Sequence, residues 1–264
     1  MSELTIEKLQ TGIKQLDDSL KGGIPQNHII LLSGTAGTMK SSIAFQIAYA
    51  NLLKNKKAIY ISLEQSATSL ITQMSLMSFD FSKVRVDSNN QGILSLIQSK
   101  ESSDKKGLLT ILDIGYVRAQ QLEKGKGESF SWLKEIKALI KKYTSKGMAD
   151  IVILDSLTAL YHMEDFGDKR VKLFQVFEYI KNLKTTSLII NEMQPGDDRY
   201  SNYGMESYLA DGVFLLSLKN RHDYKIRKFS IEKMRYIDHD MNNFVLKFKD
   251  SKFSIAKDLD KDTE

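Results

Sequence analysis

The sequence predicts an α/β fold: a mainly parallel central sheet with helices on both faces and a C-terminal antiparallel strand extension. Three observations carry this. Short apolar runs of strand type alternate with helical stretches as far as residue 205. The first of them, residues 28–33 (HIILLS), passes directly into a glycine-bearing loop and then a helical run. Beyond residue 205 the helical spacing stops, and strands follow one another across short polar turns.

Taken in order, residues 1–27 form an entry segment broken by Gly22, Gly23 and Pro25, and both prolines, Pro25 and Pro195, fall in turns. The run 41–53 is helical, 54–57 is a polar turn, and 58–63 (AIYISL) is the second strand, ending at Glu64-Gln65. Helix is expected again over 69–77, where Leu70, Met74 and Met77 read as core. Residues 87–107 are polar and unpatterned, as in a surface excursion, and 108–114 (LLTILDI) returns to strand. Phe130, Leu133, Ile136, Ile140 and Tyr143 fall at helical spacing with lysines on the other face. The strand 150–154 (DIVIL) ends at Asp155. Val171, Phe174, Phe177, Ile180 and Leu183 mark a further amphipathic helix before the strand 187–191. The antiparallel extension comprises 212–218, 224–234 and 243–249. One domain over residues 1–255 is expected, with 256–264 a charged, mobile tail.

Composition narrows the class. The chain has 264 residues, 42% hydrophobic and 27% charged, which suits a globular core. No apolar run approaches the roughly 20 residues that span a bilayer, and the N-terminus lacks a signal-peptide pattern. The absence of cysteine excludes disulfides and thiolate metal sites and fits a cytoplasmic protein. The net charge of +5 permits nucleic-acid contact without arguing for it.

The loop after the first strand, GTAGTMKSS (34–42), has the plan strand, glycine loop, Lys-Ser, helix. Such a loop aims backbone N–H groups and a helix N-terminus at one anion. Lys40 would reach the β- and γ-phosphates of a nucleotide and the Ser41 hydroxyl would bind Mg²⁺. Met39 stands where the pattern G-x-x-x-x-G-K-[ST] places its last glycine. A side chain is tolerable there with helical backbone angles and strained with φ > 0. Asp155, delivered by an apolar strand, either holds Mg²⁺ beside Ser41 or caps the turn DSLT; its pairing with the loop favours the metal. Glu64 ends the strand after the cradle helix and either orients the attacking water or contacts the next helix N-terminus, a role open also to Gln65, Ser66 and Thr68. The four histidines show no metal-ligand spacing, and no Cys or Gly-x-Ser-x-Gly nucleophile is present. The stretch 219–236 holds eight basic positions, His222 included, and reads either as a solvated edge or as a surface for nucleic acid or a neighbour's phosphate.

Together these residues resemble the KaiC-type branch of the RecA-like P-loop ATPases, in its single-domain form. The resemblance rests on the entry TGIKQLDDSLKGGIP (11–25), the cradle, SLEQS, IVILDSLTAL, ESYLADGVFLL and IEKMRYIDH, and spans about residues 10–255. It implies a RecA-like P-loop fold that binds ATP and Mg²⁺ and hydrolyses ATP. Gly34, Thr35, Ala36, Gly37, Thr38, Met39, Lys40, Ser41 and Ser42 would surround the phosphates, with Lys40 also catalytic. Asp155 and Ser41 would hold the metal, and Glu64 would be the catalytic glutamate. It also implies a homo-oligomeric ring, a hexamer, in which Lys233, Arg235 and His239 reach the neighbouring subunit's nucleotide. Met39 and Gln65, the latter where the family often has a second acid, point to slow hydrolysis. Two other functions fit the residues: a nucleotide-gated scaffold serving a downstream protein partner, and a recombinase-like DNA-binding ATPase. The loop 195–207, with one arginine and three acids, disfavours the last.

Overall fold

The computed structural model describes residues 6–90, 105–123, 131–144, 149–163, 168–194, 204–221 and 223–259. A ten-stranded sheet runs in the order β12-β11-β10-β9-β3-β8-β7-β4-β6-β5. Its parallel part comprises β3 (Ile29–Gly34), β4 (Lys57–Ser62), β5 (Val84–Ser88), β6 (Lys106–Asp113), β7 (Ile151–Asp155), β8 (Thr186–Glu192) and β9 (Gly212–Arg221). The strands β10 (Tyr224–Met234), β11 (Phe244–Lys249) and β12 (Lys252–Lys257) extend it antiparallel. This is the expected architecture. A small ribbon of β1 (Lys8–Leu9) and β2 (Ile24–Pro25) brackets α1 (Lys14–Ser19), so Pro25 lies in a short strand rather than a turn.

The period-two alternation of the strands feeds two cores. From β3, Ile30 and Leu32 enter the core beneath α2 (Lys40–Leu52) and α3 (Ala67–Leu76). Ile29 and Leu31 enter the opposite core, beneath α5 (Trp132–Thr144), α6 (Leu157–Met163) and α7 (Lys169–Asn182). Burial on both faces explains why the parallel strands read as continuous apolar runs. The helix α4 (Ile114–Glu123) buries only Ile114 among its residues, which is why no periodicity announced it.

Several expectations need correcting. The edge strand β5 (Val84–Ser88) runs into the start of the expected excursion 87–107, and β6 begins at Lys106, before its end; 91–104 lies outside the described residues. DSLT is not a turn: α6 starts at Leu157, directly after the strand. On α7 the buried stripe is Leu173, Val176, Phe177 and Ile180, whereas Val171 and Phe174 are exposed at 52% and 53%. The helical period was right, but its first turn faces outward. Phe130, Pro195 and most of the loop 195–207 lie outside the described residues. The sheet continues past residue 255, because β12 ends at Lys257 and Asp258 pairs with Arg221 and Lys228.

The centre of the sheet is tight where β3 becomes the cradle. A Cβ on Gly34 would stand 2.2 Å from the Leu216 carbonyl oxygen of β9, a backbone atom that cannot step aside alone. Only glycine fits this crossing. Gly34→Ala should therefore lower stability by about 1–3 kcal/mol, the usual cost of overpacking, read as a lower denaturant midpoint at unchanged m-value.

Candidate active site

The cradle loop joins β3 to α2. Thr38 Oγ1 donates to the Thr35 carbonyl at 2.8 Å, which folds the loop on itself. Met39 has φ 73° and ψ 29°, so the strained alternative is the one adopted. A non-glycine residue in this region costs about 1–2 kcal/mol. Met39 offsets part of this by packing its side chain on the core beneath α2. No side chain caps α2, whereas Ser66 caps α3 and Asp168 caps α7. The first turn of α2 thus keeps the donor character that suits an anion.

Lys40 is 4% exposed, and its ammonium donates to the Thr35 carbonyl at 2.9 Å and pairs with Glu192 Oε1 at 2.8 Å. Glu192 ends β8 and lies opposite Gly34 in the parallel register. Asp155 ends β7, opposite Ser62 of β4. Leu63 N–H donates to the Asp155 carbonyl at 2.7 Å and so ties the Glu64 loop to β7. Glu64 accepts a hydrogen bond from Ser156 Oγ, whose hydroxyl oxygen in turn accepts the Ala159 N–H at 3.1 Å. The Glu64 side chain opens onto a pocket of ≈ 360 Å³ shared with Arg118, Thr158 and His162.

Asp155 accepts a hydrogen bond from the Tyr60 hydroxyl, and Ser41 lies against both side chains. Burial pushes the Asp155 carboxyl above the usual aspartate range; Tyr60 and Ser41 pull it down, and the charges of Glu64 and Glu192 add to the rise. Burial, followed by the Asp155 charge, holds the Tyr60 phenol well above its ordinary value. One carboxylate, one hydroxyl and a surplus of nearby negative charge form a donor set that fits Mg²⁺, a cation that keeps much of its shell as water and phosphate oxygen.

Lys233 and Arg235 are not brought to this cluster. They flank Met234, which pairs with Gly212, and Gly212 lies beside Ile30 near the start of β3. The cradle is at the other end of that strand, four residues or about 13 Å away along it. Lys233 Nζ donates to the carbonyls of Ser207, Tyr208 and Ala210 at 2.9, 3.2 and 2.7 Å, around the short helix α8 (Glu206–Leu209). Burial, with the neighbouring Arg235 charge, lowers the Lys233 pKa. Arg235 pairs with Asp211 Oδ1 at 2.9 Å. His239 borders a separate cleft with Asp18, Lys21 and Asp240, and its buried Nε2 has no hydrogen-bond partner among the described residues.

The family model described as "ATPase: KaiC" matches residues 9–260. The chain belongs to the KaiC ATPase family. Among relatives of this chain, a UPF0273 protein of Methanopyrus kandleri is 24% identical over 250 residues, covering 94% of this chain and 91% of its own. The circadian clock oscillator protein KaiC of Prochlorococcus marinus is 24% identical over 244 residues, covering 92% of this chain, which spans only 43% of that longer protein. A crystal structure of a KaiC-like protein from Pyrococcus horikoshii superposes with a TM-score of 0.74 at 20% identity, covering 96% of this chain and all of that one. The fold is thus the RecA-like P-loop fold of the KaiC family. Among the described residues, no helix is long and apolar enough to cross a membrane.

Four side chains were not assigned to this site from the sequence: Glu192, Tyr60, Ser156 and Arg227, the last counted only among the basic positions of 219–236. Glu192 carried the same signal as Asp155, a carboxylate after an apolar strand, and could have been found. Tyr60 and Ser62 were the hydroxyl-bearing residues in AIYISL. Arg227, whose Nε donates to the Gly37 carbonyl at 3.2 Å, had no local signal, because 190 residues separate the two.

Two measurements check these energetics. Met39→Gly removes both the backbone strain and the packing, so its stability should stay near that of the parent. Met39→Ala keeps the strain and loses the packing, and should unfold about 1 kcal/mol more easily. Asp155→Asn should melt higher than the parent at neutral pH without nucleotide or Mg²⁺. A carboxyl raised by burial destabilises the folded chain above its folded pKa, and this penalty fades as pH falls through that value. The advantage of the asparagine variant should therefore shrink toward acid pH in thermal scans.

Proposed function

We propose that this chain binds ATP with Mg²⁺ and hydrolyses it slowly, as a subunit of a homo-oligomeric ring whose nucleotide sites are completed by the neighbouring subunit. The supporting observation is the convergence of Lys40, Ser41, Asp155 and Glu64 on one edge of the sheet, around an uncapped 13-residue helix. In this reading the backbone of residues 34–39, Lys40 and the first turn of α2 bind the phosphates. Ser41 and Asp155 hold Mg²⁺, which when bound offsets phosphate charge. Glu64, held by Ser156, orients a water and accepts its proton.

Two features favour a slow reaction. Gln65 leaves Glu64 without a second acid beside it, and Glu192 competes with phosphate for the Lys40 ammonium. The family resemblance and the geometry both support the ring reading. Lys233 and Arg235 sit at the far end of the sheet from their own cradle, so they could supply counter-charge only to another subunit's nucleotide. The resemblance favours a ring of six and leaves the downstream protein partner unnamed.

Glu64→Gln should cut ATP turnover by about 100-fold or more while ATP binding persists, as expected on removing a general base. Turnover equal to the parent's would remove Glu64 from the mechanism. Native mass measurement with ATP, with ADP and without nucleotide should show a ring with ATP. Assembly that responds to ATP in a chain with negligible turnover would instead favour the nucleotide-gated scaffold.

A further inference from the structure

Strand β4 is buried along Ala58–Ser62, and within it Tyr60 carries a hydroxyl on an aromatic ring that packs in the core. The side chain is 0% exposed, and its ring packs against Phe45 of α2 with centroids 6.2 Å apart. Phenylalanine would fill nearly the same space. A buried hydroxyl costs free energy unless it finds a partner. Here it donates to Asp155 Oδ2, with the Ser41 side chain against both groups.

The geometry points to Tyr60 as a positioning residue of the metal site: its phenol pins one oxygen of Asp155 so that the other oxygen and the Ser41 hydroxyl face Mg²⁺ together. This rests on the reading of the site as a Mg–nucleotide site. The chemistry of the donor matters. Asp155 stands near the carboxylates of Glu64 and Glu192, so its orientation must be fixed against repulsion. A lysine there would fix it too, but would neutralise the charge the cation needs. A phenol is neutral and offers one directed donor, so it orients the carboxylate and leaves its charge available. Partners of metal ligands that act in this way change metal affinity by about 10–100-fold when removed.

The test uses Tyr60→Phe in the full chain, with folding confirmed by circular dichroism and thermal melting. Affinity for a non-hydrolysable ATP analogue is measured by calorimetry in EDTA and across a Mg²⁺ titration. Tyr60→Phe should bind the analogue in EDTA as the parent does, and should need about tenfold more Mg²⁺ to reach the parent's Mg²⁺-supported affinity. Asp155→Asn serves as the reference that loses the Mg²⁺ dependence. Adding Tyr60→Phe to Asp155→Asn should change nothing further, because Tyr60 acts through that carboxylate.

A parental Mg²⁺ response in Tyr60→Phe, with Asp155→Asn impaired, would overturn the role of Tyr60 and leave the site reading intact. An equal loss from Tyr60→Phe in both backgrounds would also overturn it, as the mark of a purely structural tyrosine. If neither the parent nor Asp155→Asn responds to Mg²⁺, the metal-site reading fails and this inference with it.

Discussion

The parallel register of β3, β8, β7 and β4 is the constraint on which the site depends. Gly34 lies opposite Glu192, and Asp155 lies opposite Ser62 two residues before Glu64. Parallel strands that start together end together, so the cradle, the lysine partner, the candidate metal carboxylate and the candidate base arrive at one edge without long loops to place them. The register is itself held by burial on both faces, since a slip of one residue would exchange the side chains of the two cores.

This arrangement concentrates negative charge. Glu64 and Glu192 lie near Asp155, and Glu192 pairs with the buried Lys40 ammonium; burial first, and these two charges after it, raise the Asp155 pKa. Directed donors hold the cluster: the neutral hydroxyls of Tyr60 on Asp155 and Ser156 on Glu64, and the Lys40 ammonium on Glu192. An edge built in this way is suited to a cation and to an anion that brings its own cation. The energetic tension falls beside the cradle loop, and the two large cores support it from below.

The opposite end of the sheet has a different character. There Lys233 and Arg235 cover the carbonyls around α8 and the carboxylate of Asp211, and Tyr208 and Tyr236 stand exposed at 77% and 76%. Cations and exposed aromatic rings side by side make a surface suited to contact with another molecule. The same chain thus presents an acidic, donor-lined edge and a basic, aromatic one at opposite ends of its strands.

The sequence alone determined the α/β class, the main alternation of strands and helices, most of the antiparallel extension and the cradle loop. These features depend on period, turn residues and local spacing, all of which are contiguous in the chain. It did not distinguish one strand-end carboxylate from another. Asp113 also closes an apolar strand, yet its two oxygens accept the N–H groups of Ala67 and Tyr116, so it anchors α3 and α4 rather than facing Lys40. Glu192, with the same local pattern, does face Lys40. The difference lies in strand order, because β8 and β7 sit between β3 and β4 whereas β6 lies beyond β4. The backbone angle at Met39 and the reach of Tyr60 and Arg227 were likewise settled only in the tertiary structure. Long-range packing decides which side chains meet, and no local pattern encodes a contact between residues far apart in sequence.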